Sequence, residues 1–197
     1  IGSHFIEECC ARFPNIELIN IDNLSYAASK KTELLLSKHK NYHHYNIDIS
    51  NTTQVKNFFN SRSIDLIVHF AAESHVDNSI TNPINFLQTN LIGTYNLLDC
   101  IVKSSNVLSK KPLFHHISTD EVYGDLAIDD DPFSEDSQIS PSSPYSASKA
   151  SSDHLVEAWS RTFGIKSLIT NCSNNFGPRQ FTEKLIPKVI LNAVSLK

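Results

Sequence analysis

Five short apolar runs, at 17–21, 43–47, 66–70, 113–118 and 167–172, alternate with stretches of helical pattern along this chain of 197 residues. The helical stretches fall at 3–13, near 29–39, at 53–61, 83–103 and 144–163, and from the region of 183 to the end. A strand that gives way to a helix before the next strand cannot make a tight hairpin, so its neighbour pairs in parallel through a crossover. The alternation therefore predicts an α/β fold, an open doubly wound parallel sheet with helices on both faces. With 40% hydrophobic and 19% charged residues the chain can bury the core of one domain over 1–197. Asn82-Pro83 and Ser143-Pro144 each set a capping side chain before a proline at the first helical position. The 83–103 helix carries one apolar stripe (Ile84, Leu87, Leu91, Tyr95, Leu98, Val102) and a second one (Phe86, Gly93, Leu97, Ile101). One face packs on the sheet; the other is left for a different partner. The one long loop, 125–143, is acidic and serine-rich, and long loops in compact domains often carry function.

Charge and composition narrow the function classes. A formal charge of −4 gives no footprint for nucleic acid, and no apolar run is long enough to span a membrane. The cysteines, Cys9, Cys10, Cys100 and Cys172, form no Cys-x-x-Cys pair, and with no leader at Ile1 the expected setting is a reducing cytoplasm. His43-His44 and His115-His116 are adjacent pairs in strand-like runs, where neighbouring side chains point to opposite faces, so no metal site is expected.

The chemistry concentrates at strand ends. Ser118-Thr119-Asp120-Glu121-Val122-Tyr123-Gly124 closes the fourth run, and Tyr145-Ser146-Ala147-Ser148-Lys149 opens the following helix. Tyr145 and Lys149 stand at i and i+4, on one helical face. A phenol with a pKa of about 10 becomes a usable proton acceptor when an ammonium lies beside it. A hydroxyl and two carboxylates next to that pair are more acid–base equipment than oxidising an alcohol requires. Alone, a Tyr-x-x-x-Lys spacing is common in amphipathic helices and Asp-Glu after a strand is usually a solvated turn; their combination is what carries weight. Asp22, at the end of the first run, suits the two hydroxyls of a ribose and would repel a 2′-phosphate, which favours NAD over NADP. Phe70-Ala71-Ala72-Glu73-Ser74 ends the third run with small residues that let a cofactor approach the backbone. Ligands of open α/β sheets bind at these C-terminal strand ends.

Together these motifs resemble the extended short-chain dehydrogenase/reductases, and within them the nucleotide-sugar 4,6-dehydratases. The resemblance implies a Rossmann-like NAD-binding domain and a catalytic set of Thr119, Asp120, Glu121, Tyr145 and Lys149. It implies cofactor contacts from Ile1, from Asp22, Asn23, Leu24 and Ser25, from Asp48 and Ile49, from Phe70, Ala71, Ala72, Glu73 and Ser74, and from Thr89, Tyr145, Lys149 and Asn175. Substrate contacts would come from Ser74, Thr119, Asn174, Lys184 and Leu185, with Glu183 in the same segment. The expected partners are a nucleotide sugar, dTDP-glucose, and a second copy of the chain bound through helices 83–103 and 144–163. Ile1-Gly2-Ser3-His4-Phe5 resembles the tail of a Gly-x-x-Gly-x-x-Gly turn, so a first strand is expected ahead of Ile1 and a C-terminal substrate-binding region beyond Lys197. Three alternatives stay open: UDP-glucose as the substrate, a nucleotide-sugar C4 epimerase, which has no use for Asp120-Glu121, and a non-catalytic NAD-binding regulator.

Overall fold

The computed structural model describes residues 1–60, 62–104 and 111–195. In chain order it runs α1 (Gly2–Arg12), β1 (Leu18–Asp22), α2 (Lys30–Leu36), β2 (Tyr42–Asn46), α3 (Thr52–Phe59), β3 (Leu66–His69), α4 (Val76–Thr81) and α5 (Pro83–Phe86). A π-helical turn (Leu87–Ile92) then leads into α6 (Gly93–Ser104), β4 (Leu113–Thr119), a 3₁₀ turn (Asp120–Tyr123), α7 (Pro144–Phe163), β5 (Ser167–Cys172) and α8 (Leu185–Val194). The fold is the Rossmann-like α/β arrangement, parallel strands with helices on both faces. All strand pairing is parallel: β1 with β2 from Leu18↔Tyr42, β3 with β4 from Leu66↔Leu113, and β4 with β5 from Phe114↔Ser167.

The described strands make up the two halves of this doubly wound arrangement. Among the described residues the strands form two sheets, β1–β2 and β3–β4–β5, with no ladder between β1 and β3. Side chains join them instead. Ile19 and Ile21 of β1 and Ile67 of β3 pack against one core of Ile49, Val55, Phe58, Phe59, Leu97, Leu98, Ile101, Phe114, Val156 and Ile165. Burial of that apolar surface, at about 25 cal/mol per Å², is what holds the halves together.

The 83–103 helix is interrupted. Its middle widens into the π-helical turn, and this turns Asn90 into the interior, while Gly93 just beyond it lies against Ile49. Periodicity could not show this, because the flanking apolar residues keep a helical spacing through the turn. Phe86, Leu97 and Ile101 of one stripe are buried; of the other, Ile84, Leu87 and Tyr95 are exposed while Leu98 lies in the core. Asn82 does not cap α5 with its side chain. It is also the C-cap of the short helix α4, its N–H donating to Asn78 O, and that double duty sets its backbone away from the capping geometry. Ser143 does cap: its hydroxyl accepts the Ser146 N–H while the Ser146 hydroxyl accepts the Ser143 N–H, a reciprocal box at the start of α7. α7 ends at Gly164, whose φ of 65° is left-handed and easy only for glycine.

The 125–143 loop is drawn together at its neck. Ser140 N–H donates to Val122 O at 3.0 Å, and Gly124 (φ 97°) lies so close to Ser140 that a Cβ there would stand 2.4 Å from the Ser140 carbonyl oxygen. Among the described residues, no helix is long and apolar enough to cross a membrane.

Candidate active site

Asp22 closes β1 and stays exposed, its Oδ1 accepting the Leu24 N–H at 2.8 Å. Asn23 accepts the Ser25 N–H in the same way, and Leu24 takes a left-handed φ of 50° to allow both turns. This folded tip leaves the Asp22 carboxylate at a strand's C-terminal end. Ile1 lies at the start of α1, its carbonyl accepting from His4 and Phe5, and Gly2 packs on Phe70 just past β3. Asp48 accepts both the N–H and the hydroxyl of Ser50. Ile49 is placed differently: its side chain is in the core and its carbonyl accepts from Asn96.

The 70–74 segment is fixed by a residue that sequence reading missed. Asn90 accepts the Glu73 N–H at 2.8 Å and donates to Glu73 O at 3.0 Å and to Ser148 Oγ at 2.9 Å. One buried amide thus ties the loop after β3 to the turn of α7 that carries Tyr145 and Lys149. The available signal was a polar residue at an inward position of an apolar helix, since such groups need partners. Thr89, its neighbour, is half-buried in the same π-helical turn.

At the end of β4, Thr119 is extended, and its hydroxyl accepts the Glu121 N–H at 3.2 Å, capping the 3₁₀ turn that presents Asp120 and Glu121. The same hydroxyl donates to Asp120 Oδ1 at 3.3 Å and lies near enough to Tyr145 to favour its phenolate. Its single proton can serve the Asp120 carboxylate or a Tyr145 phenolate, but only one at a time. Burial and the Asp120 charge raise the Glu121 carboxyl above its ordinary range, so it is a stronger base than a solvated glutamate.

Lys149 departs from the sequence expectation. Its ammonium donates to Ile117 O at 2.8 Å and lies 3.3 Å from His116 Nε2, facing β4 rather than the phenol. Burial lowers its pKa to about 8, an effect partly offset by Asp153. Burial and the Glu121 charge push Tyr145 up to about 12. The i, i+4 spacing put the two side chains on one face without fixing where the long lysine stem would aim.

The segment after β5 completes the cleft. Lys184 Nζ donates to Ser74 O at 2.7 Å, and Tyr26 donates to Glu183 while stacking edge-on against Phe181. The loops after β1, β3 and β5 therefore meet, with Tyr26, Glu73, Asn78, Asn82 and Phe86 lining an open cleft beside them. Asn174 and Asn175 are exposed on the way there, Asn175 donating to Ser173 O, and Leu185 is exposed at the start of α8. Among the described residues no group of histidine, cysteine and acidic side chains converges as a metal site, and all four cysteines are free thiols.

A parallel α/β sheet whose strand ends carry a ribose-type carboxylate and a Thr/Asp/Glu/Tyr/Lys cluster is the architecture of the extended short-chain dehydrogenase/reductases. The chain belongs to the GDP-mannose 4,6 dehydratase family, whose model matches residues 1–197. It is 48% identical over 192 residues to a dTDP-glucose 4,6-dehydratase of Escherichia coli, an alignment covering 91% of this chain and 53% of the relative. To the dTDP-glucose 4,6-dehydratase of Haemophilus influenzae it is 49% identical over 201 residues, covering 98% of this chain and 60% of that one. The dTDP-glucose 4,6-dehydratase of Streptomyces venezuelae, solved with NAD bound, superposes with a TM-score of 0.89 at 39% identity, over 98% of this chain and 59% of that structure. The chain spans about half the length of the curated relatives it matches.

Proposed function

We propose that the protein dehydrates dTDP-glucose to dTDP-4-keto-6-deoxyglucose with NAD as a recycled cofactor. The observation that carries this reading is the meeting of Thr119, Asp120, Glu121 and Tyr145 at the end of β4, because epimerisation at C4 leaves two carboxylates without work. The residues present suit the cofactor. An exposed Asp22 carboxylate at the end of β1 can accept from ribose hydroxyls, and Ala71 and Ala72 leave the backbone after β3 open to close approach. The further contacts implied for Ile1, Asn23, Leu24, Ser25, Asp48, Phe70, Thr89 and Asn175 belong to the same reading. Ile49 fits it only through its backbone. When bound there, NAD would supply a hydride acceptor for C4 and the source of the hydride added at C6.

The C5 proton of glucose is not acidic until C4 becomes a ketone. Tyr145 takes the C4 hydroxyl proton, with Thr119 bonded to the same oxygen. At rest Tyr145 holds its own proton, so it acts only once a positive charge or a donated hydrogen bond favours the phenolate. Glu121 then removes the C5 proton, and Asp120, entering this step in its protonated form, gives its proton to the departing C6 hydroxyl, so that one water leaves. Hydride addition at C6 and reprotonation of C5 complete the product. The substrate contacts implied for Ser74, Asn174, Lys184 and Leu185 belong to this reading too, and Lys184 is already hydrogen-bonded to Ser74. Exposed Ile84, Leu87 and Tyr95 support a homodimer through 83–103 and 144–163. The working compartment is the cytoplasm.

The test is to incubate the full-length protein with NAD and either dTDP-glucose or UDP-glucose, and to follow the alkali-labile absorbance of a keto sugar. A C4 epimer as the product, or NAD binding without turnover, would remove the reading in favour of an epimerase or a regulator.

A further inference from the structure

Beneath the catalytic cluster lies a buried polar group that the proposed chemistry does not use. β4 turns alternate side chains, Phe114, His116 and Ser118, into the interior, where the latter two meet Lys149, Ser152 and Asp153 of α7. His116 is 0% exposed, Lys149 3% and Asp153 4%. Asp153 Oδ2 accepts from Ser118 Oγ at 2.7 Å and from Asn171 Nδ2 at 3.5 Å. Its other oxygen, Oδ1, stands 3.2 Å from His116 Nε2 but off the line a hydrogen bond needs, and neither Oδ1 nor His116 Nδ1 has a hydrogen-bond partner among the described residues. That same Nε2 is 3.3 Å from Lys149 Nζ and 3.3 Å from Ser152 Oγ.

We propose that Asp153, held by Ser118, is the buried counter-ion that keeps Lys149 charged, and that His116 is the neutral spacer fixing the distance between them. Both are positioning residues, acting on the substrate only through Lys149.

A buried ammonium without an anion is costly, and the usual response is loss of its proton. The titratable groups around Lys149 are Asp153 on α7, His116 on β4, His69 behind it on β3, and Cys172 on β5, with Tyr145 one turn earlier on α7. Both histidines are buried and held neutral, His116 at about 2 and His69 well below its ordinary value, and the added charge of Lys149 contributes to each shift. Neither can supply a negative charge. Burial and the Glu121 charge keep the Tyr145 phenol protonated. Asp153 is the one carboxylate among these neighbours, and it is the largest influence raising the Lys149 pKa against burial. His116 can accept from Lys149 only with a bare Nε2, and that ring, with Asp153 Oδ1 3.2 Å from the same nitrogen, sets the spacing between ammonium and carboxylate.

This inference rests on the reading of Lys149 as part of the catalytic set, and its test reads the lysine directly. The full-length protein, labelled with ¹³C at lysine Cε, is titrated by NMR, with the Lys149 signal assigned from its loss in Lys149→Met. Asp153→Asn, which keeps the shape and a Ser118 acceptor, is expected to lower the Lys149 midpoint by about one unit or more, the usual effect of removing a close opposite charge. Ser118→Ala leaves every charge in place but loosens the carboxylate; it gives a smaller shift in the same direction and serves if Asp153→Asn fails to fold. The alkaline limb of the dehydratase pH profile moves down in step with the midpoint. Midpoints unchanged from the parent in the folded variants overturn the proposal. A shifted midpoint in a protein that turns over no sugar nucleotide upholds the counter-ion and overturns the proposed function instead.

Discussion

Replacing Glu121 by glutamine separates the two halves of the proposed reaction, and the structure says how each half responds. The ionised Glu121 carboxylate is the second cause, after burial, of the Tyr145 pKa near 12. Glutamine removes that charge and keeps the side-chain length, while the capping bond from the Glu121 N–H to Thr119 Oγ1 is a backbone donation and survives. Tyr145 therefore becomes easier to deprotonate, and oxidation at C4 proceeds at least as well as in the parent. Elimination loses its base. A positioned general base contributes about 10²–10⁴-fold, or about 3 to 5 kcal/mol of barrier. The assay is rapid mixing with NAD and dTDP-glucose, following reduced nicotinamide by absorbance, product by the keto-sugar assay and C5 by deuterium uptake from solvent. Reduced cofactor and a bound 4-keto sugar are expected to accumulate while product and deuterium incorporation fall together. If a folded Glu121→Gln protein forms no reduced cofactor, Glu121 belongs to hydride transfer. If it keeps full dehydratase activity, the residue has no part in the chemistry.

Three further expectations follow from packing and charge. Asp22→Ala weakens NAD binding and narrows the preference against NADP, because a ribose acceptor and a source of repulsion for a 2′-phosphate are lost together; comparative cofactor titrations with unchanged selectivity would place the ribose contact elsewhere. Gly93→Ala would set a Cβ 2.6 Å from Ile49 Cδ1, and because Ile49 is core its relief must come from other core groups; the overpacking cost of 1–3 kcal/mol exceeds the helix propensity gained, for a net loss of about 1 kcal/mol in urea unfolding. Asn90→Ala leaves the Glu73 N–H and C=O without their partner and costs about 1–3 kcal/mol, with hydrogen exchange of the 70–74 amides rising more than that of β4; equal exchange in both would show that Asn90 does not anchor the loop.

What the sequence made legible follows the range of each physical signal. β5 and α7 lie where the apolar run and the Ser143-Pro144 start placed them, and the other strands lie within a residue or so, since apolar runs and N-caps are local. The short helix α4 escaped notice because six residues with only Val76 and Ile80 apolar show no period. The tail expected for α2 continues past Leu36 as tight turns, His39 N–H donating to Leu36 O, which a helical pattern does not distinguish from the helix itself. The π-helical turn, the double role of Asn82 and the direction of Lys149 depend on groups distant in the chain. The same holds for Asp153, which is visible as Lys149 plus four but becomes a counter-ion only when β4 supplies Ser118 and His116.

The closed neck of the 125–143 loop has an evolutionary consequence. Because Ser140 already returns to Val122, the ends of the intervening segment meet whatever its length, and the turn Asp120–Tyr123, to which catalysis is proposed to belong, does not feel how far the chain wanders in between. Each doubling of such a segment costs only about 0.6 kcal/mol in closure entropy. Insertions and deletions there are thus nearly neutral for the chemistry, and this loop is where descendants of the chain can gain new surface without disturbing the residues that do the work.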